Sequence, residues 1–279
     1  MAEMKLFLGC TIPNRLPHLE SASRIAFNKL GIQVSDAPFA CCPEPIGFQS
    51  VNHEAWLAMG ARNLCLAEAE GKDIVSLCNG CYQSLAVANH DLQKNATEKA
   101  HINHILAKVN KSYKGTVKVK HFVHVLHENI PKIKSSVKKP MTNLKVAIHA
   151  GCHYARPTEV LKSDDPWKPS KQRDIIAATG AKIIDYPEEK LCCGNGASYL
   201  SAETADAITK KKIANAKKAG ANCFVVNCPA CFQRLDTMRE MPVIYLTQLV
   251  ALAMGESFDS LNMKFHVSKA CDGFELKSL

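Results

Sequence analysis

A chain of 279 residues with 47% hydrophobic and 22% charged residues has room for one large or two ordinary domains, which excludes a disordered or fibrous polymer. Thirty-five lysines and arginines against 26 aspartates and glutamates give a formal net charge of +9, which suits an anionic small molecule, an acidic protein partner or nucleic acid. Aromatics at 6%, with neither a helix-turn-helix nor an aromatic RNA-binding signature, make nucleic acid the weakest of the three.

The chain opens on MAEMKLFLGC, in which a short apolar run over residues 5–8 reads as a buried strand and leads to Cys10. This opening lacks the basic start and apolar middle of a secretory signal, so the expected compartment is the cytoplasm. An amphipathic stretch over residues 19–30 follows, with Gly31 as its C-terminal stop. Cys41-Cys42-Pro43 comes next, then an amphipathic stretch over 54–70 and a strand-like run over 74–77 that delivers Cys78 and Cys81. His121, His124 and His127 recur three apart, with His101 and His104 upstream. Without a carboxylate or cysteine partner in the pattern, they read as a solvated or packed helical stripe rather than a metal site. The segment ENIPKIKSSVKKPMTNLK is basic and weakly periodic, and it separates an expected N-terminal domain, 1–130, from a C-terminal domain, 145–279, with a linker at 131–144.

The second half repeats the order. A strand-like run over 145–149 leads to Cys152, and Cys192-Cys193-Gly194 follows. A helical stretch over 202–218 is stopped by Gly220, and a strand over 224–227 delivers Cys228 and Cys231, with helix over 229–239. Lys210, Lys211, Lys212, Lys217 and Lys218 read as the wet face of the first of these helices. The most apolar segment, 243–254, is interrupted by Thr247 and Gln248, and no run approaches the roughly 18 apolar residues of a spanning helix. CGNGASY fails the dinucleotide fingerprint, because Tyr199 stands where its third glycine belongs.

Counted between cysteines, the halves read C-x30-CC-x35-C-x2-C and C-x39-CC-x34-C-x2-C, which accounts for ten of the thirteen cysteines. So specific a spacing, repeated in order, marks a duplicated module. A large chain with an odd cysteine count and no export signal uses its thiols as metal ligands or redox groups, not as disulfides. Of the remaining three, Cys65 and Cys223 read as core residues and Cys271 stands apart. Alternating strand, cysteine and helix predict an α/β fold of two pseudo-symmetric halves with short parallel sheets flanked by helices, the thiols converging at the strands' carboxyl ends. Pro43 and Gly194, directly after the adjacent pairs, suit sharp turns.

Five thiolates exceed what a structural zinc or a cubane cluster takes. The fifth can bridge two irons and open the cluster; a four-cysteine zinc or cubane site with one bystander is the other reading. The duplicated pattern resembles the cysteine-rich CCG domain, and two complete copies in one chain resemble the B-subunit family of heterodisulfide reductase, although the first copy reads CCP. The resemblance covers almost the whole chain. It implies that Cys10, Cys41, Cys42, Cys78 and Cys81 hold one non-cubane [4Fe-4S] cluster and that Cys152, Cys192, Cys193, Cys228 and Cys231 hold another.

The activity implied is reduction of the mixed disulfide of coenzyme M and coenzyme B to two thiols, the last step of methanogenesis. Two one-electron centres then match one two-electron bond. The chain has no ferredoxin, flavin or nicotinamide motif of its own. The family accordingly implies a flavin-bearing A subunit, a ferredoxin-like C subunit and a hydrogenase or formate dehydrogenase as partners. An iron-sulfur electron-transfer component of a lactate- or glycolate-type oxidase, or of another disulfide-reducing complex, is the alternative. His153, directly after Cys152, is a candidate proton donor to a departing thiolate. Arg15, Arg156 and Arg234 lie within a few residues of cysteine ligands and are candidates to bind the substrate's anionic groups.

Overall fold

The protein is described by a computed structural model that covers residues 2–45, 47–271 and 274–279. Its frame is a pair of four-stranded parallel sheets with the same topology. The first contains β1 (Met4–Phe7), β2 (Val34–Ser35), β3 (Ile74–Ser76) and β4 (Val119–His121) in the order β2-β1-β3-β4. The second contains β5 (Lys145–His149), β6 (Lys182–Ile183), β7 (Cys223–Val226) and β8 (Val243–Tyr245) in the order β6-β5-β7-β8. In register, Leu6 faces Val75 in one sheet and Ile148 faces Val225 in the other.

The strands legible in the sequence are the four central ones. β1, β3, β5 and β7 are apolar and almost wholly buried, because helices cover both faces of a parallel sheet. Of the four unforeseen strands in these two sheets, three, β2, β4 and β6, lie at the edges, have only two or three residues and are partly exposed, so no apolar run announces them. β8 is also an edge strand but is buried, and it continues without a break into the helix Leu246–Ala253. Together they form the apolar run at 243–254, where periodicity cannot separate strand from helix.

Helices return the chain from one strand to the next. Pro17–Lys29 ends at Gly31, whose φ of +67° allows Ile32 N–H to donate to Phe27 O at 2.9 Å. Asn52 caps His53–Glu68 and Ser201 caps Ala202–Lys218 through their side-chain oxygens. The halves are interlocked rather than strung together. Pro17–Lys29 packs on Leu246–Ala253 of the other half, where Ser23 Oγ and Thr247 Oγ1 meet at 2.9 Å with both residues fully buried. One apolar cluster runs through both halves, from Leu19, Phe27 and Val75 to Phe224 and Leu249. Residues 131–144 belong to this body: the helix Ile130–Ser136 buries Ile133, and Met141 and Leu144 are buried after it.

No helix among the described residues is long and apolar enough to cross a membrane. Thr247 and Gln248, the polar interruptions in the apolar run, are themselves fully buried. Gln248 accepts from Tyr245 N–H at 3.0 Å and lies 2.9 Å from His266 Nε2. Gln248→Leu strands both partners, so its expected cost is about 2 kcal/mol of unfolding free energy, read from urea denaturation against the unsubstituted protein.

Candidate metal centre

Each cysteine set is assembled from the carboxyl ends of two central strands and from the loop that carries the adjacent pair. β1 and β5 lead through Gly9 and Gly151 to Cys10 and Cys152; β3 and β7 lead to Cys78 and Cys228, which cap the helices Asn79–Lys94 and Pro229–Asp236. The thiols form one row in which each acts on the next. Cys10 meets Cys41, Cys41 meets Cys42, Cys42 meets Cys81, and Cys81 meets Cys78. Cys78 then meets Cys228 across the contact between the halves, and the row continues through Cys231, Cys193 and Cys192 to Cys152. All ten cysteines singled out by the repeat are in it. Cys65 and Cys223 are buried outside it.

Protons are shared unevenly along this row. Cys42, Cys192 and Cys228 each lie between two neighbouring thiols whose influence holds their pKa values down. Their partners Cys41, Cys152, Cys78 and Cys81 are pushed up, chiefly because each donates to a neighbouring sulfur. Such a row cannot shed all its protons without positive charge from outside, and that is what metal ions supply to thiolates. Two helix N-termini, at Cys78 and Cys228, also aim their partial positive charge at the middle of the row.

Glycines set the close approach, a signal not read from the sequence. Gly9 and Gly151 both precede a first cysteine and have φ of +69° and +77°. A Cβ on Gly9 would lie 2.6 Å from Cys81 Sγ, and one on Gly151 would collide with Asn79 Nδ2. That Asn79 amide crosses between halves to donate to Ala150 O at 2.7 Å. The two pair loops differ. Gly194 has φ of +93°, with space for no side chain beside Thr209 and Ala205, whereas Pro43 is held through its carbonyl by Ser84 Oγ at 2.7 Å.

Three neighbours of the row were missed or misread in the sequence. His149 ends β5, is buried, and its Nε2 has no hydrogen-bond partner; one of its ring nitrogens lies within 4.8 Å of the Cys193 and Cys231 sulfurs. Burial pushes its pKa down to about 3. Lys212, expected on the wet helix face, is instead fully buried, while Lys210 and Lys211 are exposed as expected. Its ammonium donates to Glu189 O at 2.7 Å and Leu191 O at 2.9 Å, which fixes the loop before Cys192. Burial lowers its pKa to about 8 against the opposing pull of the Cys193 and Cys231 thiols. In the first half Asn63 performs the same task with a neutral amide, donating to Cys41 O and accepting from Ala40 N–H, both at 2.9 Å.

The candidate binding residues are placed unequally. His153 is half-buried in a short 3-10 turn beginning at Cys152. Arg156 is exposed, lies 5.2 Å from the Trp167 ring centroid, and lines a cavity with Cys152, His149 and Lys190. Arg234 is held within the fold by Asp206 at 2.5 Å and Thr209 Oγ1 at 2.9 Å. Arg15 is exposed at the end of the helix Thr11–Arg15 and lines a different cavity with His18 and Phe265. In the histidine stripe, His121 is buried, His124 lies close to Tyr82 and Tyr154, and His127 pairs with Asp174 at 3.1 Å. His101 pairs with Glu54 at 2.7 Å.

The family model for the CCG cysteine-rich domain matches residues 4–86 and again 146–236. The chain is 37% identical, over 95% of its length and 93% of the relative's, to the B subunit of the ferredoxin/F(420)H(2)-dependent CoB-CoM heterodisulfide reductase of Methanosarcina acetivorans. It is 35% identical to a protein of Archaeoglobus profundus described as like the heterodisulfide reductase B subunit, over 91% of each chain. It is 33% identical to the 8-methylmenaquinol:fumarate reductase membrane anchor subunit of Wolinella succinogenes, over 96% of this chain and 98% of that one. A crystal structure of a hypothetical protein from Helicobacter pylori superposes with a TM-score of 0.75 at 16% identity, covering 96% of this chain, which spans about half (52%) of that one; it shares the fold.

Gly194→Ala places a methyl group 2.5 Å from Thr209 Oγ1 and 2.6 Å from Ala205 O. The expected loss is about 1–3 kcal/mol of unfolding free energy, measured by circular dichroism in urea on the metal-free protein.

Proposed function

The chain belongs to the cysteine-rich CCG family, among the heterodisulfide reductase B subunits, and from that premise we propose that it is the disulfide-reducing iron-sulfur subunit of a larger redox complex. The observation that carries this reading is the single row of ten thiols running across the contact between the halves. Five sulfurs in each half, brought together without room for a Cβ at Gly9, fit an iron-sulfur group better than a four-ligand zinc.

Cys10, Cys41, Cys42, Cys78 and Cys81 would hold one non-cubane [4Fe-4S] cluster, and Cys152, Cys192, Cys193, Cys228 and Cys231 the other. Each cluster, when bound, supplies one electron to one sulfur of the substrate. Cleaving the S–S bond consumes two electrons and two protons and releases two thiols, here assigned to coenzyme M and coenzyme B in the last step of methanogenesis. His153 stands beside Cys152 as the proton donor. Arg156, with Lys190, presents positive charge beside the same cysteine to the substrate's anionic groups. Arg234 serves less directly, by tying the helix Pro229–Asp236 to Ala202–Lys218, and Arg15 lines a separate cavity.

The described residues include no second cofactor motif, so electrons come from partners: a flavin-bearing A subunit and a ferredoxin-like C subunit, fed by a hydrogenase or formate dehydrogenase. The complex works in the cytoplasm. The relative named as a fumarate reductase anchor favours a second reading, in which the chain relays electrons without binding a disulfide.

Anaerobically reconstituted protein is expected to hold about eight irons, and Cys42→Ser and Cys193→Ser each to lose one cluster's share. With a reduced viologen as donor it should reduce the coenzyme M–coenzyme B disulfide. His153→Gln should lower that rate about 100-fold with iron unchanged. Stoichiometric zinc without iron would sink the reading, and a fully loaded protein whose EPR spectrum ignores coenzyme M would favour the relay.

A further inference from the structure

The two cysteine sets are copies in spacing but not in electrical surroundings, and three substitutions between the halves act in the same sense. Three residues before the first cysteine, the first half has Phe7 and the second has buried His149, one of whose ring nitrogens lies within 4.8 Å of the Cys193 and Cys231 sulfurs. On the helix between the second and third strands in sequence, the loop of the cysteine pair is held by buried, neutral Asn63 in the first half, with the less buried Arg62 donating to Pro38 O further from the pair, and by the fully buried ammonium of Lys212 in the second. Two residues after the pair, the first half has Glu44, whose carboxylate accepts from Gly47 N–H at 2.7 Å and Phe48 N–H at 3.3 Å in the same loop, and the second has uncharged Asn195.

An iron-sulfur centre becomes more negative when it gains an electron. Nearby positive charge and hydrogen bonds to its sulfurs therefore favour reduction, and a nearby carboxylate opposes it. Glu189 is the acidic group facing Lys212, and its carboxylate is paired with Arg173 at 2.5 Å. Exposure differs in the opposite sense at one position, with Cys41 exposed and Cys192 half-buried. One partly wet sulfur is a smaller effect than a whole charge on the fully buried Lys212 side chain.

We infer that the second set, Cys152 to Cys231, holds the more readily reduced of the two centres, with His149 and Lys212 raising its potential and Glu44 lowering that of the first. This rests on the reading that both sets carry clusters. Electrons entering at the first half then run downhill across the Cys78–Cys228 contact and collect in the second.

The test is a potentiometric titration of the anaerobic, iron-loaded protein followed by EPR. Cys42→Ser and Cys193→Ser, each emptying one set, assign the two signals. The unsubstituted protein should show two separated midpoints, the higher belonging to the second set. His149→Phe, which copies the first half, and Lys212→Met should each lower that midpoint alone, shifting the reduced-to-oxidised ratio at fixed potential about tenfold, or about 59 mV. His149→Gln and Lys212→Arg should largely restore it, and Glu44→Gln should raise only the lower midpoint. Iron content is measured on every sample, and His149→Phe gives an independent reading where Lys212→Met does not fold. Full iron with midpoints that are equal, reversed or unmoved by these variants overturns the inference alone. Failure of the unsubstituted protein to take up iron overturns the cluster reading, and this inference with it.

Discussion

The contact between the Cys78 and Cys228 thiols is the constraint on which the rest of the structure depends. Both residues lie where a buried parallel strand gives way to a helix, so bringing them together points two helix N-termini at one spot and places two sheets with their carboxyl ends facing. The backbone then has to pass very close to the sulfurs, and the glycines at 9 and 151 make that possible. Asn79, reaching across to Ala150 O, fixes the alignment of the halves where the row crosses.

The sequence foretold the interior of this arrangement better than its edges. Central strands and long helices leave a periodic apolar trace, and the ten cysteines stand out because their spacing recurs. The edge strands leave no such trace, since two or three half-exposed residues have no period. Lys212 shows a different limit. Its neighbours at 210 and 211 are exposed, and a run of lysines on a helix ordinarily reads as a wet face. The third turns inward because the loop before Cys192 offers two carbonyls that an ammonium can satisfy, which is information about a loop more than twenty positions away. His149 was hidden similarly: at the end of an apolar strand it looks like one more strand residue until the facing cysteines are in place.

Duplication therefore preserved the metal-facing skeleton and relaxed the rest. The residues free to diverge were those that hold the pair loops, and each half found its own solution. Gly194, at positive φ, lets its loop lie against Ala205 and Thr209. Proline cannot adopt that backbone, so at position 43 the chain is tied down by Ser84 instead. The same freedom buried a lysine beneath one pair loop and an asparagine beneath the other.

The apolar cluster shared by both halves has a mechanical meaning. With Pro17–Lys29 seated on Leu246–Ala253 and Ser23 bonded to Thr247, neither half can hinge away from the other without opening the common core. The two cysteine sets are thus held in one fixed relation to each other. Their mutual alignment is therefore set by side-chain packing well away from the sulfurs, so substitutions in that distant apolar seam bear on the geometry of the row even though the seam contains none of the row's cysteines.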